Sequence, residues 1–162
     1  QVAVDQSSEQ KREFNLYNYI NDTLLSIRNI TKKSKVKITI DCPLELQVRS
    51  YPGAFSQIIT NLVINSLLHA YGDDATGRII ISAKKSDVEN ELLINYKDDG
   101  KGIPKDNLGK IFDPFFTTNR ENGGSGLGMS IIYNLVTTKL NGDITCESEV
   151  GIGTKFLIKV HL

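Results

Sequence analysis

The chain carries no net charge: nineteen basic residues cancel nineteen acidic ones. That balance gives no nucleic-acid footprint and no polybasic patch for a membrane surface. It has no apolar run long enough to span a bilayer and no signal peptide. Internal repeats and low-complexity segments are also missing. There are only two cysteines, Cys42 and Cys146, and their separation has no metal-ligand spacing. Each continues an apolar alternation, Val36-Ile38-Ile40-Cys42 and Ile144-Cys146, so buried thiols in a reducing compartment are the favoured reading. The 162 residues, 40% hydrophobic and 23% charged, suffice for one soluble domain with a real core. The chain starts on Gln rather than Met, as a piece of a longer protein would.

Against that plain background one stretch stands out, Asp98-Asp99-Gly100-Lys101-Gly102-Ile103-Pro104. It follows a run in which Leu92, Ile94 and Tyr96 alternate with Leu93, Asn95 and Lys97. At the strand period of two, Asp98 falls in phase with the apolar set. An inward carboxylate is costly unless it is hydrogen-bonded. The glycines beyond it permit unusual backbone conformations or the close approach of a ligand. A buried acceptor beside an open turn can recognise a donor on a flat ligand. An ordinary Asp-Gly turn is the alternative, and these residues alone do not choose between them.

In chain order, residues 1–13 are a polar lead-in or linker, and residues 14–162 form the domain. Phe14, Leu16, Tyr17, Ile20, Leu24, Ile27 and Ile30 predict a helix over 14–32. Residues 35–42 alternate as a strand, and 45–49 read as a short second one. Pro52 suits a helix start. The helix from there to Tyr71 is apolar nearly all round, which predicts burial. Gln57, Asn61, Asn65 and His69 nevertheless recur every fourth residue as one polar stripe. A core hydrogen-bond network would account for it. Carboxamides facing a metal–phosphate group are the reading favoured here.

Two strands, 78–84 and 91–97, form a hairpin around Ser86-Asp87. A helical turn follows near 105–111. Residues 112–128 are too polar and glycine-rich for core, and loops of this length are usually functional, as lids or binding loops. Phe112, Phe115 and Phe116 anchor one end of the stretch by packing. Its glycines feed a helix marked by Met129, Ile132, Leu135, Val136 and Leu140, whose N-terminus suits phosphate. Asn141-Gly142 stops that helix. Strands over 143–150 and 154–162 pair around Gly151-Ile152-Gly153.

This layout resembles the catalytic, ATP-binding domain of sensor histidine kinases, in the Bergerat-fold superfamily that also holds gyrase, mismatch-repair and chaperone ATPases. The resemblance spans about residues 14–162. Residues 61–70 (NLVINSLLHA) are similar to the family's N box, and Asp98-Asp99-Gly100-Lys101-Gly102 to its first glycine box. Phe112-Asp113-Pro114-Phe115-Phe116 resembles the F box, and Gly124-Ser125-Gly126-Leu127-Gly128 the second glycine box. Gly151-Ile152-Gly153-Thr154 resembles a last glycine element.

The resemblance implies an α/β (α+β) two-layer sandwich, a mixed, mostly antiparallel sheet packed on helices. It implies ATP and Mg²⁺ as cofactors. Asp98 would accept from the adenine amino group, with Gly100, Gly102, Ile103, Phe112 and Thr154 around the nucleotide. Asn65 would ligate Mg²⁺, and Asn61, Asn65 and His69 would form the catalytic set on the phosphate side. Thr117, Thr118, Arg120, Ser125 and Leu127 would also contact the nucleotide, and Gly124, Gly126 and Gly128 would let the lid and helix backbone approach the polyphosphate. Family members often place a lysine after the paired threonines; here Asn119-Arg120 follows, so Arg120 would bring the charge one position later. Ser66 and Met129 stand where Ala and Leu are usual.

The implied activity is that of a protein histidine kinase in a two-component system. The chain would bind Mg²⁺·ATP and donate the γ-phosphate to a histidine on a separate dimerisation domain. The phosphate would pass on to a response regulator, and the isolated domain would be monomeric. The implied location is cytoplasmic, either as a free protein or as the cytoplasmic part of a membrane-anchored sensor. His69 and His161 are the only histidines, and neither resembles the acceptor. A gyrase- or chaperone-type ATPase clamp is one competitor, but those relatives carry a general-base Glu where Asn61 stands. An anti-sigma-type serine kinase is another, opposed by the long F box. A degenerate binding module is opposed by the intact Asn65, Asp98 and glycine loop.

Overall fold

The computed structural model describes residues 10–116 and 128–162. Its centre is a five-stranded sheet made of β2 (Lys35–Asp41), β4 (Thr76–Lys85), β5 (Glu91–Asp98), β6 (Asp143–Glu149) and β7 (Gly153–His161). The order across the sheet is β2-β4-β5-β7-β6. β2 and β4 run parallel, and every other neighbouring pair is antiparallel. Helices α1 (Leu16–Ser26), α3 (Pro52–Asn65) and α5 (Gly128–Asn134) share one buried core with the sheet, and α4 (Lys105–Leu108) is a single short turn. The two-layer sandwich, mixed and mostly antiparallel, is the fold expected from the sequence.

The strands alternate as their side-chain period requires. Leu92, Ile94, Tyr96 and Asp98 of β5 are all buried, while Lys97 is exposed. Helix α3 starts with Pro52 in its first turn and buries Phe55, Ile58, Ile59, Leu62 and Val63 against the sheet. Burying each such side chain contributes about 1.5–3 kcal/mol, and all five belong to the common core.

The structure adds to or departs from the sequence reading in four respects. The first helix begins at Leu16, because Arg12–Asn15 forms a strand, β1, that pairs antiparallel with β3 (Gln47–Ser50). The division at residues 13 and 14 therefore cuts through β1. Asn15 closes β1 and caps α1, its side chain accepting from the Asn18 N–H. Phe14 packs its ring against Tyr19 and Phe55. At the other end Ile27 leaves helical geometry (φ −107°, ψ 15°), and only the short α2 (Arg28–Thr31) continues. β3 joins β1 in a separate two-stranded sheet rather than the main one. Finally, α3 and α5 each end in one wide π turn, at Ser66–Ala70 and Leu135–Lys139. Such turns are rare and recur at functional sites.

Candidate functional site

Asp98 ends β5 with its carboxylate turned into the interior, 3% exposed. Its two oxygens are held differently. Oδ1 accepts from the backbone N–H of Gly100 (3.1 Å) and of Thr154 (3.3 Å), the residue opposite it on β7. Oδ2 accepts from the hydroxyl of Ser66 (2.9 Å). Burial raises the pKa of the carboxyl, and these three donors work against that rise. The group is an acceptor with a fixed orientation, as its strand phase predicted.

The glycine turn closes tightly on its surroundings. Gly102 adopts φ +78°, and a side chain there would run into the carbonyl of Glu149. Gly100 lies against Ala70, and the Lys101 N–H donates to the Ala70 carbonyl (2.8 Å). The turn is thus pinned to the end of the α3 π turn on one side and to the β6–β7 hairpin on the other. Asp99 points away from Asp98. Against some burial, the Arg78 N–H and the Tyr71 hydroxyl, both 2.8 Å from Oδ1, hold its carboxyl below the usual range.

These elements wall a cleft of about 490 Å³. One wall is the polar stripe of α3 and its π turn, from which Asn61, Asn65, Ser66 and His69 face in, while Gln57 does not. Asp98, which Ser66 meets directly, lines the cleft together with Lys101, Gly102, Ile103 and Asn107. Thr154 and Phe156 form the floor on β7, and Ile111, Phe116 and Met129 close the apolar remainder. A cleft mostly apolar with a few converging polar groups is the usual form of a small-molecule site.

Position along α3 sorts the stripe by what it faces. Asn65 Oδ1 lies 3.9 Å from where a side chain of Gly128 would begin, at the start of α5. The carboxamide oxygen is thus within ordinary van der Waals reach of a side chain placed at Gly128. His69, one turn on, neighbours Lys101; burial and then the lysine charge lower its imidazole pKa.

Of the residues singled out from the sequence, Asn61, Asn65, His69, Asp98, Gly102, Ile103, Gly128 and Thr154 line this one cleft. Gly100 serves as a contact with Ala70 rather than as a wall. Phe112 packs behind the wall, on Tyr133 of α5 and Phe156 of β7. Of the other aromatics in that stretch, Phe116 reaches the cleft, whereas Phe115 is exposed. Thr117, Thr118, Arg120, Gly124, Ser125, Gly126 and Leu127 lie outside the described residues. Sequence reasoning missed Ser66, Lys101 and Asn107 as cleft residues. Ser66 had a signal: a hydroxyl on a helix buried nearly all round needs a partner.

Comparison with known proteins fits this geometry. Residues 51–162 match the family model described as histidine kinase-, DNA gyrase B-, and HSP90-like ATPase. Over 161 residues the chain is 34% identical to the autoinducer 2 sensor kinase/phosphatase LuxQ of Vibrio vulnificus, covering 93% of this chain and 18% of that protein. The chain therefore spans under a fifth of that relative's length. The nucleotide-free catalytic domain of histidine kinase ThkA superposes with a TM-score of 0.78 at 27% identity, covering 94% of this chain and 95% of that one. ThkA in complex with the response regulator protein TrrA gives 0.73 at 25% identity, over 93% and 41%.

Proposed function

This chain belongs to the histidine kinase-, DNA gyrase B- and HSP90-like ATPase family, and on that premise we propose that it binds Mg²⁺·ATP in the Asp98–Asn65 cleft and presents the γ-phosphate to a histidine outside the chain. The observation that carries the reading is the pairing of two unlike ends in one cleft. At one end is a buried, oriented acceptor, Asp98; at the other, Asn65 faces the start of α5. The first suits the exocyclic amino group of adenine. The second suits phosphate, since a helix beginning offers free N–H groups and the positive end of the dipole.

The donor set also fits Mg²⁺. Among the described residues no group of three His, Cys, Asp or Glu gathers to hold a metal. Mg²⁺ in nucleotide sites needs only one or two protein oxygens, the rest coming from phosphates and water. Asn65 would supply that oxygen, and Asn61 stands a turn before it on the same wall. When bound, the ion neutralises phosphate charge. The chain's own residues hold the base, orient the phosphates and keep water out of the apolar part of the cleft.

Transfer to a partner rather than to water follows from what faces the phosphate end. Asn61 occupies the place of a general base and cannot act as one. His69 lies beside Lys101, inside the cleft, and His161 is exposed at the end of β7. The acceptor would belong to a separate helical dimerisation domain, and the onward partner would be a response regulator, as for ThkA. Among the described residues no helix is long and apolar enough to cross a membrane; we place the domain in the cytoplasm. Asp98, Gly102, Ile103 and Thr154 would surround the base, and Gly128 and the 117–127 stretch the polyphosphate.

The test uses the purified chain with labelled ATP. It should bind Mg²⁺·ATP as a monomer yet neither label itself nor hydrolyse ATP appreciably. Adding the cognate histidine-bearing helical domain should yield an acid-labile, base-stable phosphate on that domain. Sustained turnover by the chain alone near ~1 s⁻¹, the low end of ordinary enzyme rates, would overturn the reading in favour of a clamp-type ATPase.

A further inference from the structure

The chain leaving α3 is fastened on the outside of the cleft. Tyr71 follows the π turn in extended geometry (φ −125°, ψ 139°) and is half-buried. Its hydroxyl serves three groups. The single proton goes to Asp99 Oδ1 at 2.8 Å, with the Arg78 carbonyl at 3.1 Å as the second acceptor, and the oxygen accepts the Asp99 N–H at 3.2 Å. The Arg78 N–H donates to the same Asp99 oxygen at 2.8 Å. The Tyr71 ring lies over Gly77, where any side chain would run into it.

This latch joins three segments: the end of the α3 π turn, the start of β4 and the residue after β5. Ala70 and Asp98 line the cleft, whereas Tyr71 and Asp99, one residue further along each segment, do not. Asp98 is the proposed base end. Asn65 is the proposed phosphate end, and the π turn ties it to Tyr71. Next to the latch the Lys101 N–H donates to the Ala70 carbonyl at 2.8 Å. One hydrogen bond between two segments leaves a hinge, and a second contact beside it removes the rotation.

We propose that Tyr71, acting through Asp99, is a positioning residue that fixes the span between the two ends of the cleft, so that one ligand can engage Asp98 and Asn65 together. The proposal rests on the nucleotide site above, and it concerns alignment rather than contact. A ligand held at both ends gains from a pre-set spacing, because engaging the second end is then an intramolecular step. A ligand held at one end is indifferent to that spacing.

Calorimetry with Mg²⁺·ATP, which reaches both ends, and with adenosine, which reaches only the base end, tests it. The wild-type chain should bind ATP at least about tenfold more tightly than adenosine. Tyr71→Phe keeps the ring and loses the hydroxyl. It should weaken ATP about three- to tenfold, the range for one net hydrogen bond, and leave adenosine within about twofold. Gly77→Ala should give the same pattern by pushing the ring off its seat, and the double variant should lose little more than either alone. A role confined to stability would lower Tm without changing the ratio of the two affinities. An unchanged ratio in Tyr71→Phe, whether neither ligand or both are weakened, overturns the proposal and leaves the nucleotide site standing. Should Tyr71→Phe fail to fold, Gly77→Ala decides by the same ratio. A wild-type chain that binds adenosine as tightly as ATP overturns the two-ended site itself, and the proposal with it.

Discussion

Asp98 is held in a form that costs folding free energy. Its pKa is raised by burial from the ordinary 3.8, so folding makes the carboxyl harder to ionise while the proposed role requires the anion. The linkage has a definite sign. A carboxyl whose folded pKa is raised costs nothing at low pH, and stability falls as pH climbs through the raised value. Asp98→Asn removes that cost. Its carbonyl oxygen can keep the Gly100 and Thr154 donors, and its amide can donate to Ser66. The variant should match or exceed wild type in thermal stability at pH 7, with the gap closing toward pH 4. It should also lose ATP affinity by about 1.5–3 kcal/mol. Melting curves against pH, paired with calorimetry, check both halves. At Asn65 the expectation differs. Asn65→Ala should weaken ATP much more in Mg²⁺ than in EDTA, because only the metal-bridged contact is lost; equal losses would return the stripe to a core network. The phase of Asp98 and the four-residue recurrence of Asn61, Asn65 and His69 were legible because both are periodicities. The bond from Ser66 to Asp98 was not, since it spans 32 residues and no local pattern encodes it.

At the scale of elements, legibility followed length and alternation. β5, β7 and α3 carry enough apolar residues in one period to declare themselves. β1 does not: its four residues, Arg12–Asn15, offer a single buried side chain, Phe14, whose spacing also fits the helix that follows. Only the pairing with β3 and the capping by Asn15 decide for strand, and both depend on residues over 30 positions away or on side-chain geometry. The π turns were hidden for another reason. Each shifts a helix's register by less than a residue's worth of pattern, which hydrophobic periodicity does not resolve. If Phe14 is the pin of the small sheet, as its edge-on contact with Phe55 indicates, Phe14→Ala should cost about 3–5 kcal/mol, the range for emptying a buried aromatic site. Urea denaturation followed by circular dichroism measures this. A loss under about 1 kcal/mol, the centre for ordinary substitutions, would make β1 an appendage.

For the molecule as a whole, the partners of one carboxylate have a consequence in time. The donors to Asp98 come from 2, 32 and 56 residues away, so a fragment lacking either Ser66 or Thr154 lacks the complete acceptor. Closing the longest of these loops carries the largest entropic cost, and long-range pairing of this kind is slow. Helices α1 and α3 can gain their backbone order before β7 has zipped onto β5; the cleft cannot. On refolding from urea, the far-UV helical signal should therefore recover ahead of the capacity to bind a fluorescent ATP analogue, with the lag spanning the last kinetic phase. Binding that returns together with the helical signal would show the acceptor forming without β7. If the lag is found, a nascent chain released before Thr154 is paired would hold no nucleotide, and ligand capture would mark the end of folding rather than guide it.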